Sequence, residues 1–235
     1  MKMLMTAILT AMLLITGTAY ADKIDDADSA FNEGNYKQAI TLYKPLALQG
    51  VANAQTSLGI IYWSGASRDD GTHDYVEAAK WFKLAAAQGH AGAQYLLGFM
   101  YAEGDGVKQD YVETMKWYNL AAAQGHAVAQ TGLGNLYFSG KGITQDYVEA
   151  GKWFKLAAAE GSAEAQGDLG VLYNNGEGVK QDYIKAYMWY NLAAAQGNAE
   201  AVKYRDKAAS NISQKQIAKA QKLSRECLAR KYKGC

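Results

Sequence analysis

Two histidines, His90 and His126, stand 36 residues apart in matching contexts, GHAGAQ and GHAVAQ. An equivalent pair of imidazoles could seed a zinc site, where four ligands converge on one ion. The spacing argues against it. Stacked helices run about 8–10 Å apart, too far for shared ligation without further donors. The same position is Val51, Ser162 and Asn198 elsewhere in the chain. Four tryptophans, Trp81, Trp117, Trp153 and Trp189, recur at the same interval. They would suit a ladder for stacking sugar rings, but a repeated aromatic at helical spacing is first a packing residue. Acids recur too, as Asp74/Glu77, Asp110/Glu113 and Asp146/Glu149. A general acid and base must flank one bond, whereas carboxylates at a fixed interval read as caps on successive helices. Gly104-Asp105-Gly106 is followed by neither the lysine and hydroxyl of a phosphate cradle nor a calcium-ligand series. Ser64 and Ser139 precede glycines without a nucleophile elbow around them. The expectation is a protein with no catalytic residue, no metal and no cofactor.

These candidates all sit inside one repeating unit. WFKLAAAQGHAGAQ from Trp81 returns as WYNLAAAQGHAVAQ from Trp117, WFKLAAAEGSAEAQ from Trp153 and WYNLAAAQGNAEAV from Trp189. A fixed period between 20 and 50 residues marks a solenoid. Within Asp74 to Gln109, Asp74 and Glu77 form an acidic capping box opening helix A. Asn35/Gln38 is a neutral version, and Asp182 keeps the cap but has Lys185 in place of the glutamate, so a weaker helix start is expected there. Tyr75, Ala78, Phe82, Ala85 and Ala86 keep the 3/4 spacing of a buried stripe. Gly89 stops helix A, as Gly50, Gly125, Gly161 and Gly197 do in their units. Helix B follows, with Ala93, Leu97 and Tyr101 inward. Gly98 and its equivalents Gly59, Gly134 and Gly170 sit mid-helix, where glycine costs about 1 kcal/mol against alanine. A cost that recurs implies close approach of a neighbouring helix. Pro45 inside the first helix A should kink it or free a carbonyl.

The pattern A-x-x-W-[FY]-x-x-A-A-x-x-G-x-A-x-A-Q-x-x-L-G-x-x-Y-x-x-G resembles the Sel-one-like repeat family, relatives of the tetratricopeptide repeats. It covers 35 to about 209 in five copies. The resemblance implies an all-α fold, a right-handed α/α solenoid superhelix of about five helix pairs, and a role as a scaffold for protein complexes. A cysteine-rich secreted branch of the family is linked to β-lactam recognition. This chain has no paired cysteines inside its repeats, so that activity is not carried over.

The flanks differ from the repeats. Residues 1–21 combine Lys2, an apolar run from Leu4 to Ile15 and the small-x-small sequence Ala19-Tyr20-Ala21. This is the pattern of a cleavable secretory signal, with Asp22 as the mature N-terminus. The expected location is therefore periplasmic or secreted, with no integral membrane segment once the signal is removed. Residues 22–34 read as a short helix ended by Gly34. Residues 210–235 read as a basic C-terminal capping helix with a capping box at Ser213/Gln216 and an apolar arc of Ile217, Ala220, Leu223, Cys227 and Leu228. Charge divides at the same place. Residues 22–202 hold 13 Lys and Arg against 21 Asp and Glu, while 203–235 hold 10 against 2. The two cysteines, Cys227 and Cys235, favour pairing in an oxidising compartment. Eight residues of continuous helix would hold them about 12 Å apart, so an intrachain bridge requires the helix to end and the tail to fold back. An intermolecular bridge is the alternative, and the oligomeric state stays open.

Framework positions recur because stacking needs them, which leaves the varying exposed positions to specify a partner. On helix A these include Lys80, Lys83, Lys116, Asn119, Lys152, Lys155, Tyr187 and Asn191; on helix B they include Tyr95, Phe99 and Phe138. Aromatic and cationic side chains of this kind suit a protein or peptide partner, an acidic or extended segment in particular. No nucleic acid is expected. The rival reading is a cell-wall ligand-binding protein or hydrolase recognising muropeptides or β-lactams.

Overall fold

The computed structural model describes residues 22–67 and 71–235; the signal segment expected over 1–21 lies outside the described residues. Among the described residues the chain is helical, with no strand. It divides into two compact units, one ending at Gln109 and one running from Asp110 to Cys235. In the first, residues 22–32 form α1. Then come α2 (Tyr36–Leu48), α3 (Ala52–Trp63), α4 (Tyr75–Ala87) and α5 (Ala91–Glu103), with α2 packed on α3, α3 on α4 and α4 on α5. The second holds α6 (Tyr111–Ala123), α7 (Ala127–Ser139), α8 (Tyr147–Ala159), α9 (Ala163–Asn175), α10 (Tyr183–Ala195), α11 (Ala199–Ala209) and α12 (Gln214–Ala229). From α6 to α11 each helix packs on the next, and α12 packs on α10. The even-numbered helices α2 to α10 are the A helices and the odd-numbered α3 to α11 the B helices.

The A helices start where the acids sit. The Asp74 carboxylate accepts from the Glu77 N–H at 3.1 Å, and Asp110 and Asp146 each accept from two N–H groups of the first turn. Asp182 does the same at 3.0 Å from Ile184 and Lys185, so its cap survives the loss of the glutamate. The glutamates have another role. Each turns to the lysine three residues on: Glu77 to Lys80, Glu113 to Lys116, Glu149 to Lys152. Helix α2 runs through Pro45 without interruption.

Two recurrent residues lock one helix to the next. The glutamine of the A-x-A-Q motif reaches from helix B to a last-turn carbonyl of helix A: Gln55 to Ala47, Gln94 to Ala86, Gln130 to Ala122 and Gln166 to Ala158, at 2.9–3.4 Å. All four amides are buried, where an unmade hydrogen bond would be costly. The mid-helix glycines receive an aromatic ring from the following A helix: Phe82 over Gly59, Phe154 over Gly134, Tyr190 over Gly170. The close approach expected of these glycines is therefore made by a ring rather than by backbone.

At the C-terminus, Ser213 and Gln216 form the reciprocal capping box of α12. The buried stripe is Ala220, Ser224 and Cys227, and Leu228, expected inside, is 51% exposed. The stripe is set by Cys227, which joins the core formed by Phe154, Leu169 and Trp189, and the next residue is then rotated about 100° outward. Cys227 and Cys235 form a disulfide with Cα atoms 5.5 Å apart. The helix ends at Ala229, and left-handed Lys231 (φ 50°) and Tyr232 (φ 64°) turn the chain back.

Candidate interaction surface

The sequence comparison of repeats puts Lys80, Lys116 and Lys152 at one helix-A register, and Lys83, Asn119, Lys155 and Asn191 one turn later. On α4, α6 and α8 these side chains are exposed. The first-register ammoniums are paired with the glutamates named above, and that hydrogen bond pushes Lys80 and Lys152 above the ordinary lysine range. Exposed pairs of this sort add little stability, and the Lys116 ammonium also lies 5.1 Å from the Trp117 ring centroid. At the second register, Lys83 lies with its Nζ 5.7 Å from the Tyr101 ring centroid. Asn119 donates to the Met115 carbonyl at 2.7 Å. Lys155 has no ion-pair partner among the described residues.

On α10 the same registers look different. Met188 at the first register is 5% exposed, Tyr187 beside it 7%, and Asn191 at the second is half-buried, because α12 covers this face. Ser224 donates its hydroxyl to the Met188 carbonyl at 3.2 Å, and Gln221 donates to the Tyr187 hydroxyl at 3.4 Å. The α10 portion of the stripe is occupied by the chain's own C-terminal helix.

The helix-B aromatics sit half-buried between neighbours. Phe99 makes an edge contact with Trp63 at 5.8 Å and a tilted one with Tyr95 at 6.5 Å. Phe138 lies edge-on to Tyr147 at 5.3 Å and 6.5 Å from Phe154. These rings contribute to packing first, leaving only part of each surface outward.

The histidines have a structural task that spacing alone did not disclose. His90 Nδ1 accepts from the Ala93 N–H at 3.1 Å and His126 Nδ1 from Ala129 at 3.3 Å. They are N-caps of α5 and α7, the role that Ser162 and Asn198 play for α9 and α11. That substitution series, His to Ser to Asn, is the signal that identifies a cap. Burial pushes His90 below the ordinary histidine range, which keeps Nδ1 an acceptor. With the folded pKa depressed, the cap's contribution is present above the unfolded value near 6.5 and fades as pH falls through the folded pKa. His90→Asn is expected to keep the stability of the wild type at pH 8 and to remove part of its acid sensitivity. His90→Ala is expected to lose about 1 kcal/mol at pH 8. Urea titrations at pH 8 and 5 check both.

One residue escaped the sequence reading. Asp168 lies on α9 at a position that is Ser57, Leu96 and Gly132 in other repeats. Its Oδ2 is buried with no hydrogen-bond partner. Burial pushes its carboxyl up to about 7, with Glu164 adding to the rise. An acid at a position otherwise small or apolar was the available clue.

Among the described residues no group of three or more His, Cys, Asp or Glu is arranged to hold a metal ion. No described helix is long and apolar enough to cross a membrane.

The Sel1 repeat family model matches residues 52–90, 91–126, 127–162 and 163–198. Its frame begins at helix B, so α2 precedes the four matched repeats and α11 follows them. Among solved structures, a Sel1 repeat protein from Oxalobacter formigenes is 32% identical over 86% of this chain and 84% of that one, with a TM-score of 0.71. A protective antigen present in uropathogenic Escherichia coli strains, displaying an SLR fold, is 29% identical over 84% of this chain, with a TM-score of 0.54. This chain covers 49% of that antigen's length. A Sel1 repeat protein from Klebsiella pneumoniae subsp. pneumoniae, 23% identical over 81% of this chain and 93% of that one with a TM-score of 0.54, shares the fold. No curated protein matches.

Proposed function

The chain belongs to the Sel1 repeat family, whose members generally mediate protein–protein interaction, and on that premise we propose that it is an exported scaffold that binds a protein or peptide on its helix-A faces. The observation that carries this reading is the stripe of Lys83, Asn119 and Lys155 with its companions Lys80, Lys116 and Lys152. Lys80 and Lys83 on α4 of the first unit, and Lys116, Asn119, Lys152 and Lys155 on α6 and α8 of the second, recur at two registers and stay exposed, next to the recurrent exposed leucines Leu84, Leu120 and Leu156. Within the second unit, the lysines of α6 and α8 suit an acidic or extended segment, which they attract over a distance and fix by hydrogen bonds. The proposal includes export, which rests on the Lys2, apolar-run and Ala19-Tyr20-Ala21 pattern. No turnover is involved.

In-cell photo-crosslinking tests the reading. A photoreactive residue at Lys83, Asn119 or Lys155 is expected to capture one discrete protein, while one at Val128, exposed but off the stripe, captures none. Glycan or small-molecule adducts in place of protein at all three stripe sites would overturn it.

A further inference from the structure

The returning tail does more than close a disulfide. Tyr232 comes to rest beside Gly161 at the end of α8, at a distance of 3.4 Å from a Cβ placed there. Lys233 pairs with Glu160 at 2.6 Å. The tail thus forms the fourth wall of a cleft of about 360 Å³, whose other walls are Lys155 and Ala159 of α8, Tyr173 of α9 and Trp189 of α10. That volume lies within the range of small-ligand sites. Two consecutive non-glycine residues in the left-handed region are an unfavourable way to turn a chain. They hold here because the disulfide and the Lys233–Glu160 pair fix both sides of the turn, and the result is that Tyr232 lines the cleft together with Trp189 and Tyr173.

The charge around the cleft is one-sided. In the first unit the lysine at this register, Lys83, is engaged with Tyr101. The equivalent tyrosine in the second unit, Tyr173, takes Lys185 instead, with the ammonium 5.1 Å from its ring centroid. Lys155 is thereby left without an acidic or aromatic partner. The acid at the cleft's edge, Glu160, is already held by Lys233. The cleft is lined by three aromatic rings, of which Trp189 is only 4% exposed and Tyr173 already carries Lys185, and by one uncommitted ammonium.

The geometry points to a binding site for an apolar group carrying a carboxylate, with Lys155 taking the carboxylate and Trp189, Tyr173 and Tyr232 enclosing an aromatic or branched aliphatic body. An ammonium pairs with a carboxylate through charge-assisted hydrogen bonds, and aromatic walls contribute through buried area and ring contacts. The source assigned to this group is the C-terminal residue of a protein partner. That assignment rests on the scaffold reading; the chemistry of the cleft does not.

The test uses the full disulfide-bonded chain and three probes: 3-phenylpropionate, its amide, and a tetrapeptide ending in phenylalanine with a free carboxylate. Binding is followed by NMR through the Trp189 indole N–H and the Tyr232 amide. The acid is expected to bind at least fivefold more tightly than the amide, and the peptide at least as tightly as the acid. Lys155→Met abolishes the preference for acid over amide, and Lys219→Met, exposed on α12 and outside both the cleft and the helix-A registers, leaves it intact. Tyr232→Ala weakens all three probes while far-UV circular dichroism stays unchanged. Equal binding of acid and amide, or shifts that bypass Trp189 and Tyr232, would overturn the site. A peptide that binds more weakly than the free acid overturns the partner source and leaves a small-acid site. Protein capture at Lys83 and Asn119 is read independently, so a failed probe titration with persisting capture removes the cleft and not the scaffold reading.

Discussion

At pH 8 the Asp168→Asn variant is expected to exceed the wild type in stability by about 3 kcal/mol, and at pH 4 the two should be nearly equal. The carboxyl is pushed up to about 7 from an ordinary value of 3.8 by burial, with Glu164 one turn earlier on the same helix adding repulsion. Between these two values the folded state holds a proton that the unfolded state has released. Stability therefore falls as pH rises through this window, and the stability present at acid pH is lost once pH exceeds the folded value. A separation of about three pK units corresponds to about 4 kcal/mol; relaxation and water entry near an ionised carboxylate reduce what is measured. Asparagine keeps the shape and removes the ionisation. Its amide meets the same lack of partners at the buried Oδ2 position, so the variant gains nothing where Asp168 is protonated. Urea unfolding of both proteins at pH 4, 6 and 8 checks the claim. Parallel profiles across that range would show that Asp168 is solvated and titrates as an ordinary acid.

Asp168 also shows where reading the sequence stops. The helix pairs were legible because each boundary carries a chemical mark. Aspartates accept the first-turn N–H groups, glycines end the A helices, and the 36-residue interval ties each mark to the next. Asn35, Asp74, Asp110, Asp146 and Asp182 all cap the helices expected of them. The histidine caps were harder to read, since imidazole is an uncommon acceptor at that position and the pair suggested metal chemistry first. Burial of Met188, next to Tyr187, could not be read at all. The Tyr187 register is Ala79, Met115 and Gly151 on α4, α6 and α8, buried or part-buried there, but Met188 stands at the exposed register of Lys80, Lys116 and Lys152 and is covered only where α12 docks on α10. The same holds for the cleft beside Lys155. It depends on which tyrosine each lysine meets, on Lys83 reaching Tyr101 and Lys185 reaching Tyr173, and side-chain choices of that kind are not written in a spacing. Periodicity specifies a stack of helices; the contacts that break the periodicity are where partner and pH sensitivity enter.

Two glycines three residues apart on α9 are expected to respond in opposite directions to the same substitution. Gly167→Ala should stabilise by about 0.5–1 kcal/mol, the helix-propensity gain of alanine over glycine. A Cβ there meets only the Asn198 side chain, at 3.6 Å, an ordinary van der Waals distance. Gly170 has the same propensity to gain. Its Cβ, however, would fall within 3 Å of three atoms of the Tyr190 ring. Tyr190 is 2% exposed, packed with Ala186, Ala193 and Ala201 and stacked on Tyr204 at 5.7 Å, so its ring moves only by disturbing these contacts. Overpacking of a closed core costs about 1–3 kcal/mol, so Gly170→Ala should lose about 1–2 kcal/mol net and Gly170→Val about 3 kcal/mol or more. Because the loss arises from one ring, it should be coupled to that ring. In a Tyr190→Leu background Gly170→Ala is expected to cost little, and the double-mutant cycle should show a coupling of about 1–2 kcal/mol. Additive behaviour, or a destabilising Gly167→Ala, would mean that α9 tolerates or refuses a methyl group for reasons unrelated to Tyr190. The repeat keeps glycine at Gly59, Gly134 and Gly170 against its helical propensity because each is the floor on which the next A helix sets Phe82, Phe154 or Tyr190. Gly167 supports no ring, and its neighbours in the other repeats, Thr56, Tyr95 and Thr131, show that the register there is free to change.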